Sequence, residues 1–329
     1  MIALRIFVQK YDEIYHFFDD NRSIDDLPLD DKKLLPIFRS FIISNPTTQN
    51  EHHERIQLIN DFCNTLEYLY DNFSECIIHR NEDQWAIGDN HSDAINLHDD
   101  IIIAIQTLFH SVYTSGQYKY WLYHALKFNS KSLHNPEFWK DMARHYFINF
   151  YCVDKSSQSN VSKRYEDILN TPTTDITVDE NKLTYLSPVS VKFALKLYDF
   201  IIWEEKRIST KIDQLCFSSD QDTIEHFYPQ NAVEHSASIR LDGDIIHKFG
   251  NLCLISASLN SRLTNSSVQE KKNKLSHEDY DSLKLADMVD QSEWYNGLES
   301  IKNVIIKNTD EQIKKLKLFI QQAHDMGIY

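Results

Sequence analysis

Between Arg55 and Phe73 apolar residues return every three or four positions: Leu58 and Ile59, then Phe62, Leu66, Leu69 and Phe73, with polar residues between them. An α-helix needs that period to lay an apolar stripe against a core. The same period predicts helices around Ile2 to Phe18, Lys33 to Ile43, Asp93 to Tyr113 and Pro136 to Phe150. It returns at Ser190 to Arg207, where Val191, Ala194, Leu195, Tyr198, Ile201 and Ile202 share a face. Near the end, Thr309 and Gln312 form a capping-box pattern ahead of Ile313, Leu316 and Ile320, which predicts a helix start there. Two polar stretches, Asp154 to Lys163 and Thr171 to Asn181, interrupt the helical pattern and read as exposed connections.

Strand-like segments are scarce. The clearest are TIEHFY (Thr223 to Tyr228) and NLCLIS (Asn251 to Ser256). Between them lies a polar loop with the turn sequence LDGD (Leu241 to Asp244). After the second comes SASLNSRL, where Ser256 or Ser258 would cap a new helix. The local order is strand, long loop, strand, helix. Neighbours on a strand point to opposite faces, so Glu225 and His226 act together only where the strand ends, and Pro229 predicts such an end.

Composition narrows the fold class. With 329 residues, 42% hydrophobic and 25% charged, the chain has room for two domains or one large one, each with a real core. Only 6 Gly and 7 Pro leave little turn chemistry for a many-stranded β-protein. The expectation is a mainly α protein with a small α+β element. Apolar runs such as Ile101 to Ile105 are too short to span a bilayer, and the first residues lack a secretory pattern, so a cytoplasmic protein without membrane contact is expected. The five cysteines are dispersed and none has CxxC spacing, which fits reduced packing thiols better than a zinc knuckle.

Charge restricts where nucleic acid could bind. The net charge is −15, with 22 Asp and Glu against 13 Lys and Arg in residues 1–150, and 27 against 21 in the remainder. A broadly basic surface is excluded, and any such site is a local patch, with the second half the better place. The segments Glu51 to Arg55 and His91 to Asp100 hold possible metal ligands, but neither has HExxH spacing and both read as solvated. No GxxxxGK[ST] or GxGxxG loop is present.

The chemistry-bearing residues gather between Glu225 and Lys274. A metal-dependent nuclease needs a group to take a proton from water, which histidine does well near neutrality. It also needs a divalent cation held by hard oxygen ligands, supplied by Asp, Glu or Asn. Each candidate alone has an ordinary explanation: Asn251 could close a turn, Asn260 could sit at a helix start, and Lys271 and Lys272 could form a solvated face. Their order within one strand–strand–helix segment makes coincidence a poor account.

In that order the residues IEHFYPQ, GNLCLI, SLNSRL and EKK resemble an HNH nuclease of the ββα-metal class, and more narrowly the nuclease half of GmrSD-type modification-dependent restriction enzymes. The resemblance covers roughly Asp222 to Leu275. It implies that His226 is the general base and that Asn251 orients the histidine loop. It implies that Glu225 and Asn260 ligate the metal, and that Arg262, Lys271, Lys272 and Lys274 lie near the phosphate. Glu replaces the more common Asp at the first position. Asn in place of His at the last favours Mg²⁺, with Mn²⁺ as the alternative, over zinc. The Asp-Gly-Gln-Gln-Arg sequence of the nucleotide-binding half of such enzymes is missing.

The expected organisation is therefore a helical region over 1–185, serving interaction or sensing, and an HNH nuclease region over 186–329 with its core at about 222–275, flanked by helices. The expected activity is metal-dependent hydrolysis of phosphodiesters in DNA within a restriction or anti-phage system. An NTPase or sensor subunit is the expected protein partner. An inactive DNA-binding or scaffold subunit and an RNA-directed nuclease toxin are the alternatives.

Overall fold

The computed structural model describes residues 2–15, 35–36, 39, 48–81, 84–88, 97–113, 119–156, 165–210, 214–230, 241–275 and 280–326. Most of the expected helix at Lys33 to Ile43, much of the His91 to Asp100 segment and most of the Asp154 to Lys163 stretch fall outside them; residues 35, 36 and 39 are helical. The chain divides into two compact units: one of residues 1–99, 113–138 and 327–329, the other of residues 100–112 and 139–326.

In the first unit, α1 (Ile2–Tyr15) packs on α2 (Gln49–Cys76). Thr48 caps α2 by accepting the Glu51 amide. Phe7 meets Phe62 edge-on at 5.2 Å, and Arg5 lies over the Tyr123 ring. The stripe predicted for α2 is divided in three dimensions. Leu58 and Leu69 are buried with Thr65, Asn72 and Cys76, while Ile59, Leu66 and Phe73 stay exposed. Positions 58, 65, 69, 72 and 76 stack along one line at 3.6 residues per turn; 59, 66 and 73 lie roughly one residue's rotation around from it. A short hairpin follows, β1 (His79–Asn81) with β2 (Gln84–Ala86). The helix α3 (Leu97–Val112) leads into the second unit, and the small helices α4 (Tyr120–Leu126) and α5 (Ser130–Leu133) complete the first.

In the second unit, α6 (Pro136–Tyr151) runs into β3 (Cys152–Asp154), which pairs antiparallel with β4 (Ile176–Val178). The stretch Thr171 to Asn181, read from composition as an exposed connection, thus supplies a strand, and Thr171 and Val178 are buried. Its polar side chains satisfied the sequence pattern of a loop, but the β3 partner comes from far along the chain. The helix α7 (Lys192–Thr210) is followed by β5 (Thr223–His226), the one-turn helix α8 (Gly243–Ile246), a 3₁₀ turn (Phe249–Asn251) and β6 (Leu252–Ile255). Next come α9 (Ala257–Leu263), α10 (Val268–Lys274), α11 (Leu283–Asp290) and α12 (Leu298–Ile320).

Strand β5 pairs antiparallel with β6, with Glu225 opposite Cys253 and His226 opposite Leu252, and α9 packs against β5. Ser256 caps α9 through the Leu259 amide, and Ser267 with Glu270 forms a complete capping box on α10. Phe227, Cys253, Ile255, Leu259, Leu263, Leu285, Trp294 and Ile305 share the core beneath this hairpin. The molecule is mainly helical, with only two-stranded sheets among the described residues. No described helix is long and apolar enough to cross a membrane. All five cysteines are free thiols, and burial pushes those of Cys76, Cys152, Cys216 and Cys253 up, away from the reactive thiolate form.

The expected helix start at Thr309 is not a start. Residue 309 lies in the middle of α12, and its hydroxyl donates to the Ile305 carbonyl at 2.7 Å while accepting from the Gly250 amide at 3.0 Å. The capping-box letters serve a contact between elements instead. Helix α12 passes so near the 3₁₀ turn that a Cβ on Gly250 would lie 2.4 Å from the Ile305 carbonyl oxygen and 2.6 Å from the Thr309 amide. Both are backbone atoms that cannot step aside. Gly250→Ala is therefore expected to destabilise the protein by about 3 kcal/mol, the upper end for overpacking a tight site. Gly243→Ala, where an added Cβ meets nothing within 4 Å, should be near neutral. Thermal unfolding of the two variants checks this, and equal melting temperatures would show that the approach is softer than its geometry.

Candidate functional site

The end of β5 delivers two polar side chains to different surroundings. Glu225 and His226 are both buried at this strand end. On the glutamate side, Lys271 Nζ donates to Glu225 Oε1 at 2.6 Å, to the His226 carbonyl at 2.6 Å and to the Phe227 carbonyl at 3.0 Å. Three ammonium protons thus meet three acceptors, which is what a buried lysine requires. Lys271 is 0% exposed. Burial pulls its pKa down, and the Glu225 charge opposes that shift.

This placement differs from the phosphate-facing role expected of Lys271. The reason lies in the period of α10: Val268, Lys271 and Leu275 are three and four residues apart and face the core together, whereas Lys272 and Lys274 are exposed. Lys272 lies over the Tyr295 ring at 4.4 Å. Lys274 Nζ donates to the Arg262 carbonyl, and an Arg262 guanidinium nitrogen donates to the Lys274 carbonyl at 3.3 Å, so the pair clasps α9 to α10. The basic surface near the hairpin is thus Arg262, Lys272 and Lys274.

On the other side, the His226 ring meets residues that sequence reasoning left without a role. Its Nε2 lies 3.0 Å from His247 Nδ1, and Gln230 Nε2 lies 3.1 Å from its ring nitrogens. The Tyr185 ring meets His226 edge-on at 4.6 Å and stacks on His247 at 5.5 Å with an 18° tilt. The Tyr185 amide donates to the His247 carbonyl, and Thr184 bridges Lys248, so the segment before α7 is stitched to the segment before β6. Burial, the neighbouring His247 and the Lys271 charge together depress the His226 pKa to about 3. His226 is therefore an uncharged imidazole at neutral pH. Burial also lowers the His247 pKa, opposed by Asp244.

Asn251 ties the two strand ends together. It is 0% exposed; its Oδ1 accepts the Tyr228 amide at 2.8 Å, and its Nδ2 donates to the carbonyls of Tyr228 and Ile246 at 3.1 and 2.8 Å. The Asn251 carbonyl also accepts the Phe227 amide. The residues just after His226 are thus fastened by one amide side chain. The 3₁₀ turn before it is braced by Lys284, whose Nζ donates to the Phe249 carbonyl and whose amide donates to Asp199 Oδ1 at 2.7 Å. Burial brings the Lys284 pKa down and the Asp199 pKa up, each to about 7.

Hard oxygen donors remain on adjoining elements. Among the described residues, Glu225 meets Lys271 through Oε1, and the half-buried Asn260 side chain on α9 has no hydrogen-bond partner. This donor set suits Mg²⁺ or Mn²⁺ better than zinc. Among the described residues no cluster of three or more His, Cys, Asp or Glu side chains forms a metal cage.

Sequence periodicity could have flagged Lys271, since it shares the i, i+3, i+7 line with Val268 and Leu275. Nothing in the spacing marks Tyr185 or His247, which reach His226 from 41 residues before and 21 residues after it.

Two outcomes follow from these contacts. Lys271→Ala would leave Glu225 buried without its cation and should cost about 3–5 kcal/mol, whereas Lys272→Ala should stay within about 0.5 kcal/mol. Urea unfolding measures both, and a stable Lys271→Ala protein would contradict the buried pairing. Folding depresses the His226 pKa, so its stabilising contribution is complete above the ordinary value of 6.5 and is lost as pH falls from there towards 3. The His226 imidazole resonances of the metal-free protein should not titrate between pH 8 and 5. Stability should also fall less steeply with acid in His226→Gln.

No curated protein and no solved structure matches the chain significantly. Residues 174–308, less than half of the chain, match the family model described as GmrSD restriction endonucleases, C-terminal domain. That segment contains the hairpin, both histidines, Tyr185, Asn251, Asn260 and the four basic residues, and it is similar to a domain of restriction endonucleases of the GmrSD family.

Proposed function

We propose that the protein is a metal-dependent HNH endonuclease that hydrolyses phosphodiesters in DNA, acting as the nuclease component of a restriction or anti-phage system. The observation that carries this reading is His226. Within a segment matching a restriction-nuclease domain, a histidine sits at a strand end with its ring held among His247, Gln230 and Tyr185. The ends of both strands are fixed by Asn251, so the imidazole approaches its substrate from a preset position.

Glu225, through Oε2, and Asn260, through Oδ1, would hold the cation. The chemistry that Mg²⁺ or Mn²⁺ supplies when bound is stabilisation of negative charge on the phosphate and the departing oxygen. The residues do the rest. His226 takes a proton from the attacking water, the new P–O bond forms as the bond to the departing oxygen breaks, and Arg262, Lys272 and Lys274 attract the backbone. With Arg262, Lys272 and Lys274 as the exposed cations described beside the hairpin, on a chain of net charge −15, duplex affinity should be weak and only shallowly salt-dependent, which suits recognition supplied by an NTPase or sensor subunit. One observation favours a second reading, an inactive scaffold: Lys271 already neutralises one carboxylate oxygen of Glu225, which weakens any competing cation.

Incubation with plasmid under Mg²⁺ or Mn²⁺ separates the two. His226→Ala should lower cleavage by about 10²–10⁴-fold while calorimetry shows metal affinity retained. Glu225→Gln, which keeps an acceptor for Lys271, and Asn260→Ala should weaken metal binding and cleavage together. Wild-type cleavage by His226→Ala would overturn the assignment. Absence of both metal binding and cleavage in the native protein would establish the scaffold, and cleavage of RNA alone would move the activity to a different substrate.

A further inference from the structure

We propose that the exposed face of α2 is a self-association surface, on which a second copy of the chain docks antiparallel to form a two-helix coiled coil.

Ile56, Ile59, Cys63, Leu66, Tyr70 and Phe73 follow one another at intervals of three, four, three, four and three residues. That alternation is the a and d pattern of a coiled-coil seam, which keeps its apolar side chains on one stripe of the helix. Ile56, Ile59, Leu66, Tyr70 and Phe73 are 41% to 67% exposed, and Cys63 is an exposed free thiol. Single exposed apolar residues are ordinary on a folded protein, but six in unbroken register form a continuous patch that calls for a partner. The stripe that α2 gives to its own unit is a different one. The buried line through Leu58, Thr65 and Leu69 runs roughly a third of a turn away. Over its 28 residues α2 contains no Gly or Pro, so the seam runs unbroken for about 26 Å.

The seam matches a copy of itself. With a two-fold axis between residues 63 and 66, every a position meets a d position. Ile56 meets the partner's Phe73, Ile59 the partner's Tyr70, and Cys63 the partner's Leu66, and the symmetry repeats each contact. Every layer then joins a smaller side chain to a larger one, so its volume stays nearly constant along the seam.

Charge sets the direction. Residues 61–76 hold Asp61, Glu67, Asp71 and Glu75 and no Lys, Arg or His. Residues 49–60 hold the only arginine of the helix, Arg55, with His52 and His53, beside Glu51 and Glu54. A parallel pair would line four carboxylates up with four more. The antiparallel pair brings them alongside the half that carries Arg55, and it also opposes the two helix dipoles. A seam this short buries little area, so the association is reversible and depends on concentration.

Sedimentation velocity on the full chain at about 5 and about 200 µM, on either side of the affinities of weak interfaces, should show monomer passing to dimer. Leu66→Lys and Tyr70→Lys, both at exposed positions, should keep the native melting temperature of the dilute protein and stay monomeric. Direction is read from disulfides formed with oxidised glutathione between two chains, one tagged, each carrying Cys63→Ser. One also carries Ile59→Cys and the other Tyr70→Cys. Mixed, they should link to each other, and alone neither should link to itself above the Cys63→Ser chain. A native chain that stays monomeric at both concentrations overturns the proposal, as it would if another segment or another protein filled the seam. A dimer that survives both lysine variants overturns it as well. Links of each variant to itself rather than to the other mark a parallel pair and overturn the antiparallel arrangement.

Discussion

Lys271 carries a charge into a place without water, so three acceptors must converge on its ammonium, and those acceptors are the end of β5. Glu225, the His226 carbonyl and the Phe227 carbonyl cannot all point at one nitrogen unless the strand stops there and the chain turns. At this strand end the His226 ring meets His247 and Tyr185. A buried ion pair of this kind adds little net stability over an apolar pair of similar volume. Its effect is geometric: losing either partner is costly, so the strand end has a single arrangement.

The same region is held from behind by backbone contact. Gly250 lets α12 approach within a distance no side chain would permit, and Thr309 turns its hydroxyl into the meeting point of both backbones. Asn251, next in sequence, then finds its three side-chain partners already in place. Lys284 and Asp199 brace the turn from α11 and α7. Helices thus form a rigid cradle around a hairpin of only four residues per strand, which would not be stable alone.

Electrostatics divides the basic residues by depth. Lys271 and Lys284 are buried and spend their charge on carbonyls and carboxylates of the fold. Arg262, Lys272 and Lys274 remain at the surface, a small positive area on a chain of net charge −15.

The sequence by itself determined the local features. The spacing of apolar residues in α1, α6 and α7, the β5 and β6 segments and a serine cap at 256 or 258 could all be read from a few neighbouring positions, because helix period, strand alternation and capping are local physics. Glu225, His226, Asn251 and Asn260 stood out as candidates because their order along a hairpin and helix is a local pattern that carries a resemblance. Tertiary structure decided what depends on distant partners. Thr309 looked like a cap because it has a capping sequence, yet a glycine 59 residues earlier claimed its hydroxyl. Residues 171–181 looked like a loop until β3 offered a ladder. Lys271 looked solvent-facing because lysine usually is, but the acceptors that draw it inward come from 44 to 46 residues away. His247 and Tyr185 carried no signal at all: a hydrogen bond or ring stack between segments leaves no period in the chain, and only folding brings its two ends together.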